Sequence, residues 1–209
     1  MADLSNVQRA IECGDRSLTA DLTAAAIRDG VSPQVILDAM TEAMDRIGGR
    51  FQRGEIYVPE MLVSARAMKE AMALLEPLLV GAGIRPYATA VIGTVRGDLH
   101  DIGKNLVGMM WRGANIEVID LGTNVAPDRF AAAAREHQAR LVGISALLTT
   151  TMVGMRDVVT AVRLAGLDAT KVVVGGAPVT DDFAREIGAD GYAPDAGSAV
   201  ETARHLLAS

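Results

Sequence analysis

The sequence predicts an α/β protein in two parts: an N-terminal bundle of four helices, then a doubly wound parallel sheet of five strands. Three observations carry this. Residues 1–80 show apolar stripes at helical spacing and no strand candidate. Gly81-Ala82-Gly83-Ile84-Arg85-Pro86 then breaks the composition. From Ala88 onward, short β-branched runs alternate strictly with helical stretches. The break sets the expected domains at 1–82 and 83–209.

The helical part is legible from its punctuation. Ser17 or Thr19 is the candidate N-cap of a helix that ends near Asp29-Gly30, where glycine suits the C′ position. Ser32-Pro33 offers an N-cap followed by proline at N1. The helix it opens carries Ile36, Met40, Met44, Ile47 and Phe51 on one stripe. Pro59 starts another, with Met61, Ala65, Met68, Met72 and Leu75 at steps of three and four. Short connections make such helices antiparallel neighbours, and the methionine stripe reads as core filler.

Strand candidates follow at Ala88–Val95, Ile116–Leu121, Leu141–Ser145, Lys171–Gly175 and Asp190–Tyr192. Helical patterns lie between them and at the end: Ile102–Arg112, Pro127–Gln138, Met152–Ala165, Thr180–Ile187 and Ala196–Leu207. The size and alternation are flavodoxin-like.

Bulk composition narrows the function. Half of the 209 residues are hydrophobic but only 3% are aromatic, so Ala, Leu, Val, Ile and Met must pack the core. A net charge of −6 and a pI near 5.1 argue against a nucleic-acid backbone or an anionic membrane as the main partner. The single cysteine, Cys13, excludes an intramolecular disulfide framework and a cysteine-rich zinc site. With no signal peptide and no apolar run long enough to cross a bilayer, the expectation is a soluble cytoplasmic protein.

Chemistry concentrates in Gly97-Asp98-Leu99-His100-Asp101-Ile102-Gly103-Lys104-Asn105, where the first strand hands over to a helix. In open α/β sheets that carboxyl edge is where ligands bind. Asp98 and His100, two residues apart, form either a metal ligand with a carboxylate behind it or a hydrogen-bonded pair with no metal. The residues alone leave both readings standing. His137 and His205 fall late in helices, where an ordinary cationic role explains them. Other ligand motifs fail on spacing. Gly97 to Asn105 is one residue too long for a P-loop and has Asn where Ser or Thr should bind magnesium. Gly143-Ile144-Ser145-Ala146-Leu147 lacks the second glycine of a nucleophile elbow. No G-x-G-x-x-G follows the first strand, and the third ends in no phosphoryl-accepting aspartate.

Asp98-x-His100-x-x-Gly103, with Ser145-Ala146-Leu147 and Gly175-Gly176 in order behind it, resembles the cobalamin-binding family typified by methionine synthase. The helical half has a counterpart too. Met44-Asp45-Arg46-Ile47-Gly48, Gly54-Glu55-Ile56-Tyr57-Val58-Pro59-Glu60 and Ser64-Ala65-Arg66-Ala67-Met68-Lys69 resemble the helical cap that precedes the cobalamin domain there and in small corrinoid proteins of methyl transfer.

The resemblance implies cobalamin held base-off, with His100 replacing its benzimidazole under the cobalt, Asp98 orienting the ring, and Thr151 in the place of the family's relay serine. Leu99, Asp101 and Ile102 would flank the ligand. The displaced nucleotide tail would lie against small residues matching Gly93, Gly103, Ser145, Thr149, Gly175, Gly176 and Ala196, beside Leu147. Tyr57 and Leu62 are the candidates for a lid over the cobalt's upper face, while Glu55 and Glu60 read as solvated.

The implied function is that of a corrinoid carrier, cycling through a methylated cofactor. A substrate-specific methyltransferase loads the methyl group, and a second one passes it to tetrahydrofolate or a thiol. A reductive activase is a further implied partner. Proton uptake by Asp98 and His100 is expected to track demethylation, and the 81–86 linker is the expected hinge. At this length there is no room for a catalytic barrel. Two rival readings are a cobalamin-dependent regulator, which would normally carry a DNA-binding domain, and the small subunit of an adenosylcobalamin mutase, which generally lacks the cap.

Overall fold

The computed structural model describes residues 4–208; residues 1–3 and 209 of the expected domains lie outside the described residues. The chain divides after Pro86 into two compact units.

The first unit holds α1 (Ser5–Glu12), α2 (Arg16–Arg28), α3 (Pro33–Gln52) and α4 (Val58–Gly81). Ile36, Met40, Met44 and Ile47 of the α3 stripe are buried, as are Met61, Ala65, Met68 and Leu75 of α4. Ser32 caps α3 by accepting from the Val35 N–H, with Pro33 directly behind it. Two punctuation marks differ from expectation. The cap of α2 is Asp15, whose carboxylate accepts from Leu18 N–H at 3.0 Å, not Ser17 or Thr19. Thr19 is buried, and its hydroxyl turns back to the Asp15 carbonyl at 2.6 Å. A carboxylate one turn earlier out-competes both hydroxyls for the free amides and suits the positive helix end. Glu60, expected to be merely solvated, accepts the Tyr57 N–H at 3.1 Å and so closes the start of α4. Glu55 pairs with Arg53.

The second unit runs β1 (Ala88–Thr94), α5 (Ile102–Gly113), β2 (Ile116–Asp120), α6 (Pro127–Glu136), β3 (Leu141–Ser145), α7 (Thr149–Met152), α8 (Gly154–Leu164), β4 (Lys171–Gly175), α9 (Asp181–Glu186), β5 (Gly191–Ala193) and α10 (Ala196–Ala208). The strands are all parallel in the order β2-β1-β3-β4-β5. The short α7 is the one element not expected. Thr149-Thr150-Thr151 is β-branched and reads as loop, yet the amides of Thr151 and Met152 both close on the Leu148 carbonyl.

The order explains where a site can form. From β1 the chain steps outward to β2, then jumps back across β1 to β3 and continues the other way. Right-handed crossovers then place α5 on one face and α6, α8 and α9 on the other. On the α6/α8 face, Phe130, Ala134, Met155, Val158 and Val162 pack on Val91, Val142, Ile144, Val172 and Val174. Opposite, Trp111 of α5 is buried over β3 and donates its indole N–H to the Ala199 carbonyl of α10 at 3.0 Å. The direction reverses between β1 and β3, so the loops leaving their carboxyl ends diverge and open a crevice.

Candidate functional site

Those two loops meet on one buried carboxylate. Asp98, fully buried, sits in the β1–α5 loop. Its Oδ1 accepts the His100 backbone N–H at 3.0 Å and lies 2.7 Å from His100 Nδ1. Its Oδ2 accepts the Leu147 N–H at 2.8 Å and the Thr151 hydroxyl at 2.7 Å, both from the β3–α8 segment. Asp98 thus pins together the two sides of the crevice. Burial alone would push its pKa up, but the four hydrogen bonds outweigh that and hold it far below the usual carboxylate range.

An ionised Asp98 can only accept, so the proton of a neutral His100 must sit on Nδ1. The Nε2 lone pair is left free, and Nε2 has no partner among the described residues. The ring is half exposed while its carboxylate is buried. The two segments that carry the site also expose apolar side chains: Leu99 (73% exposed), Ile102 (75%), Leu147, Leu148 and Val153.

This arrangement limits what His100 can bind. Among the described residues no three His, Cys, Asp or Glu side chains gather to hold a bare metal ion. A single outward imidazole on an apolar rim fits a metal whose other ligands arrive with it, in a macrocycle with a broad apolar face. Cobalamin is such a group, and the residues present fit it.

The other expected residues divide by surroundings. Asp101 and Gly103 are exposed at the start of α5, and a Cβ on Gly103 would meet nothing within 4 Å. Thr149 is exposed, and Ser145 and Gly175 are paired in register at the ends of β3 and β4. Ala196 is buried at the first turn of α10, in the same unit. At Gly93 the missing side chain leaves room for a protein group: a Cβ there would lie 2.8 Å from the Phe130 ring. Gly143, absent from the expected set, makes the same provision for Trp111, at 2.7 Å. Tyr57 (exposed) and Leu62 (partly buried) belong to the helical unit.

One pair escaped the sequence reading. Lys104, 3% exposed, stands in the stretch that fails as a P-loop; its Nζ lies 2.6 and 2.7 Å from the Asp120 carboxylate and 2.6 Å from Asn105 Oδ1. It fastens the first turn of α5 to the end of β2. Asp120 remains partly exposed, so the two partners are not equivalent. Asp120→Ala strands a buried ammonium and is expected to cost about 3 kcal/mol. Lys104→Met leaves a carboxylate that water can reach and is expected to cost about 1 kcal/mol. Urea unfolding of both variants checks this; equal losses would show that burial of the amine carries no penalty.

Comparison with known proteins identifies the family. A B12 binding domain family matches residues 88–201, and a second B12 binding domain family matches residues 4–76. A corrinoid protein of Desulfitobacterium hafniense is 38% identical over 99% of this chain and 98% of its own. A dimethylamine corrinoid protein of Methanosarcina acetivorans is 41% identical over 86% of this chain and 85% of its own. Among solved structures, a cobalamin-binding protein from Desulfitobacterium hafniense superposes with a TM-score of 0.82 at 28% identity, covering 99% of both chains. The methanol:cobalamin methyltransferase complex of Methanosarcina barkeri gives a TM-score of 0.86 at 29% identity, over 98% of this chain and 79% of the other. Within the described residues no helix is long and apolar enough to cross a membrane. The chain belongs to the B12-binding corrinoid protein family.

Proposed function

We propose that this chain is the corrinoid carrier of a methyltransferase system, with His100 as the axial ligand of a base-off cobalamin. When bound, the corrinoid would supply a cobalt ion able to carry a methyl group between two methyltransferases. The chain's own residues do the rest. Asp98 keeps the His100 proton on Nδ1 and the Nε2 lone pair outward. Thr151 and the Leu147 amide hold the second carboxylate oxygen, so the ring's anchor cannot turn. Leu99, Ile102 and Leu147 offer apolar surface beside the ring, and Gly103 adds no side chain where the ligand would approach. Asp101, Ser145, Thr149, Gly175 and Ala196 complete the proposed cofactor-facing set of this unit.

The observation that carries the reading is the single free imidazole nitrogen on an apolar rim, fixed by a buried carboxylate. The Methanosarcina acetivorans relative is named for dimethylamine and the solved complex for methanol. A partner methyltransferase of that class would choose the donor here. A second methyltransferase, delivering to tetrahydrofolate or a thiol, and a reductive activase are the remaining proposed partners. A regulator or a mutase subunit has no particular observation in its favour.

The test is an absorption spectrum of protein reconstituted with hydroxocobalamin, wild type beside His100→Ala. Wild type is expected to bind with a spectrum reporting histidine ligation, and the variant to lose that signature. His100→Ala removes one of the four hydrogen bonds to the buried Asp98 carboxylate and leaves the other three, so it is expected to cost about 1–3 kcal/mol and to leave the protein folded. A wild type that binds no corrinoid overturns the carrier reading. A variant with an unchanged spectrum removes His100 from under the metal.

A further inference from the structure

Asp98 fixes how the His100 ring is turned, but the carboxylate itself rides on a tight loop that must be held. Part of the hold is local: the Asp98 N–H donates to Val95 O at 3.1 Å, and the buried Thr94 hydroxyl donates to the His100 carbonyl at 2.9 Å. Leu147 and Thr151 hold the carboxylate itself, and the backbone of the loop is held by a further residue, 27 positions beyond Gly97. Asn124, in the β2–α6 loop, accepts the Gly97 N–H on its side-chain Oδ1 at 2.8 Å. Its own backbone N–H donates to the Asp98 carbonyl at 2.9 Å. The two bonds bracket Gly97-Asp98 from either end. Asn124 adopts a left-handed backbone, φ +54°, which asparagine tolerates better than most residues. Its loop is in turn tied to β1, since Val125 N–H donates to Thr94 O at 2.9 Å.

We infer that Asn124 is a positioning residue for His100: it clamps the Gly97-Asp98 segment so that the buried carboxylate, and through it Nε2, keeps one place at the sheet edge. The inference rests on the axial-ligand reading of His100 and adds a residue to it. The chemistry is specific. Gly97 presents a donor, so the side chain needs an acceptor, and the backbone needs a residue at ease with positive φ. Asparagine and aspartate meet both conditions; glycine meets only the second; alanine meets neither.

That difference designs the experiment. Asn124→Gly keeps the backbone and deletes one acceptor, while Asn124→Asp restores an acceptor. In the full chain without corrinoid, amide exchange at Gly97 is expected to quicken about 3- to 10-fold in Asn124→Gly, the loss of one exposed hydrogen bond. The ring nitrogen signals of His100 should then shift from the pure Nδ1–H form toward a mixture. With hydroxocobalamin bound, the histidine-ligated fraction should fall in Asn124→Gly and return in Asn124→Asp. Global unfolding should change little in either variant. Wild-type exchange and ring signals in Asn124→Gly would overturn the inference, as would an Asn124→Asp variant as defective as the glycine one. A wild type that bound no corrinoid would end the carrier reading, and the corrinoid-free ring signals would still decide whether Asn124 sets the His100 geometry.

Discussion

Removal of the Asp98 carboxylate is expected to cost the protein more than 3 kcal/mol and to flatten its response to acid. Asp98→Ala leaves four donors facing an apolar cavity: His100 N–H and Nδ1–H, the Leu147 N–H and the Thr151 hydroxyl. Stranded buried donors cost about 1–3 kcal/mol each, and only Thr151 has another acceptor at hand, the Leu148 carbonyl at 3.0 Å. Asp98→Asn should be milder, about 1–3 kcal/mol. The amide can keep its oxygen toward His100 and turn its NH2 toward Thr151, which then bonds Leu148 instead. That orientation leaves the Leu147 amide unpaired and gives His100 a neutral acceptor in place of a charge-assisted one. The opposite orientation would force the ring proton onto Nε2, closing the atom that is to meet the metal.

The pH dependence has a definite sign. Asp98 is held far below its ordinary carboxylate value in the folded protein. Its contribution is therefore fully present above the unfolded value of about 3.9 and is lost as pH falls from there toward the folded value. Urea unfolding at neutral pH and at steps below pH 5 should show wild type losing stability on acidification more steeply than Asp98→Asn. Parallel acid limbs would mean that the carboxylate is not preferentially ionised in the fold.

The contrast between Asp98 and Lys104 shows what a sequence can reveal. His100 and Asp98 are neighbours in the chain, and their pairing follows from residue type and a predicted strand end. The rest of the carboxylate's shell lies about fifty residues on, in a segment that reads as a loop of threonines and folds as a helical turn. Strand alternation was legible because burial on one or both faces imposes a period. The doubly wound class carries the reversal between β1 and β3 with it, but not that the reversal brings Leu147 and Thr151 to Asp98. The burial of Lys104 is not legible in the sequence, because it falls on an apolar helix face where only its amine, reaching Asp120 at the end of β2, makes burial tolerable. Trp111 and Gly143 are the same case in apolar form. A glycine in a strand shows that room is needed, and only the packed helix shows that an indole takes it.

Two glycines of the expected site set make opposite predictions. Gly176 follows β4 with φ +134°, and a Cβ there would sit 1.9 Å from the Ala146 carbonyl oxygen. That oxygen is backbone and cannot swing aside. Ala146 is fully buried, its N–H reaches Gly175 O, and the next amide is the Leu147 donor to Asp98. A side chain at 176 must therefore push the β3 end away from β4 and drag the Asp98 anchor with it. Gly176→Ala is expected to lose about 3 kcal/mol or more, by clash added to backbone strain. Histidine ligation of bound hydroxocobalamin should weaken in the same variant. Gly103, in the first turn of α5, has open space where its Cβ would be. Gly103→Ala should raise stability by up to about 1 kcal/mol through helix propensity. If the corrinoid comes as close to this turn as proposed, the added methyl should nonetheless weaken hydroxocobalamin binding about tenfold. Unfolding and binding measured on both variants separate a glycine that shapes the fold from one that faces the ligand. An unchanged affinity in Gly103→Ala would take Gly103 out of the cofactor-facing set.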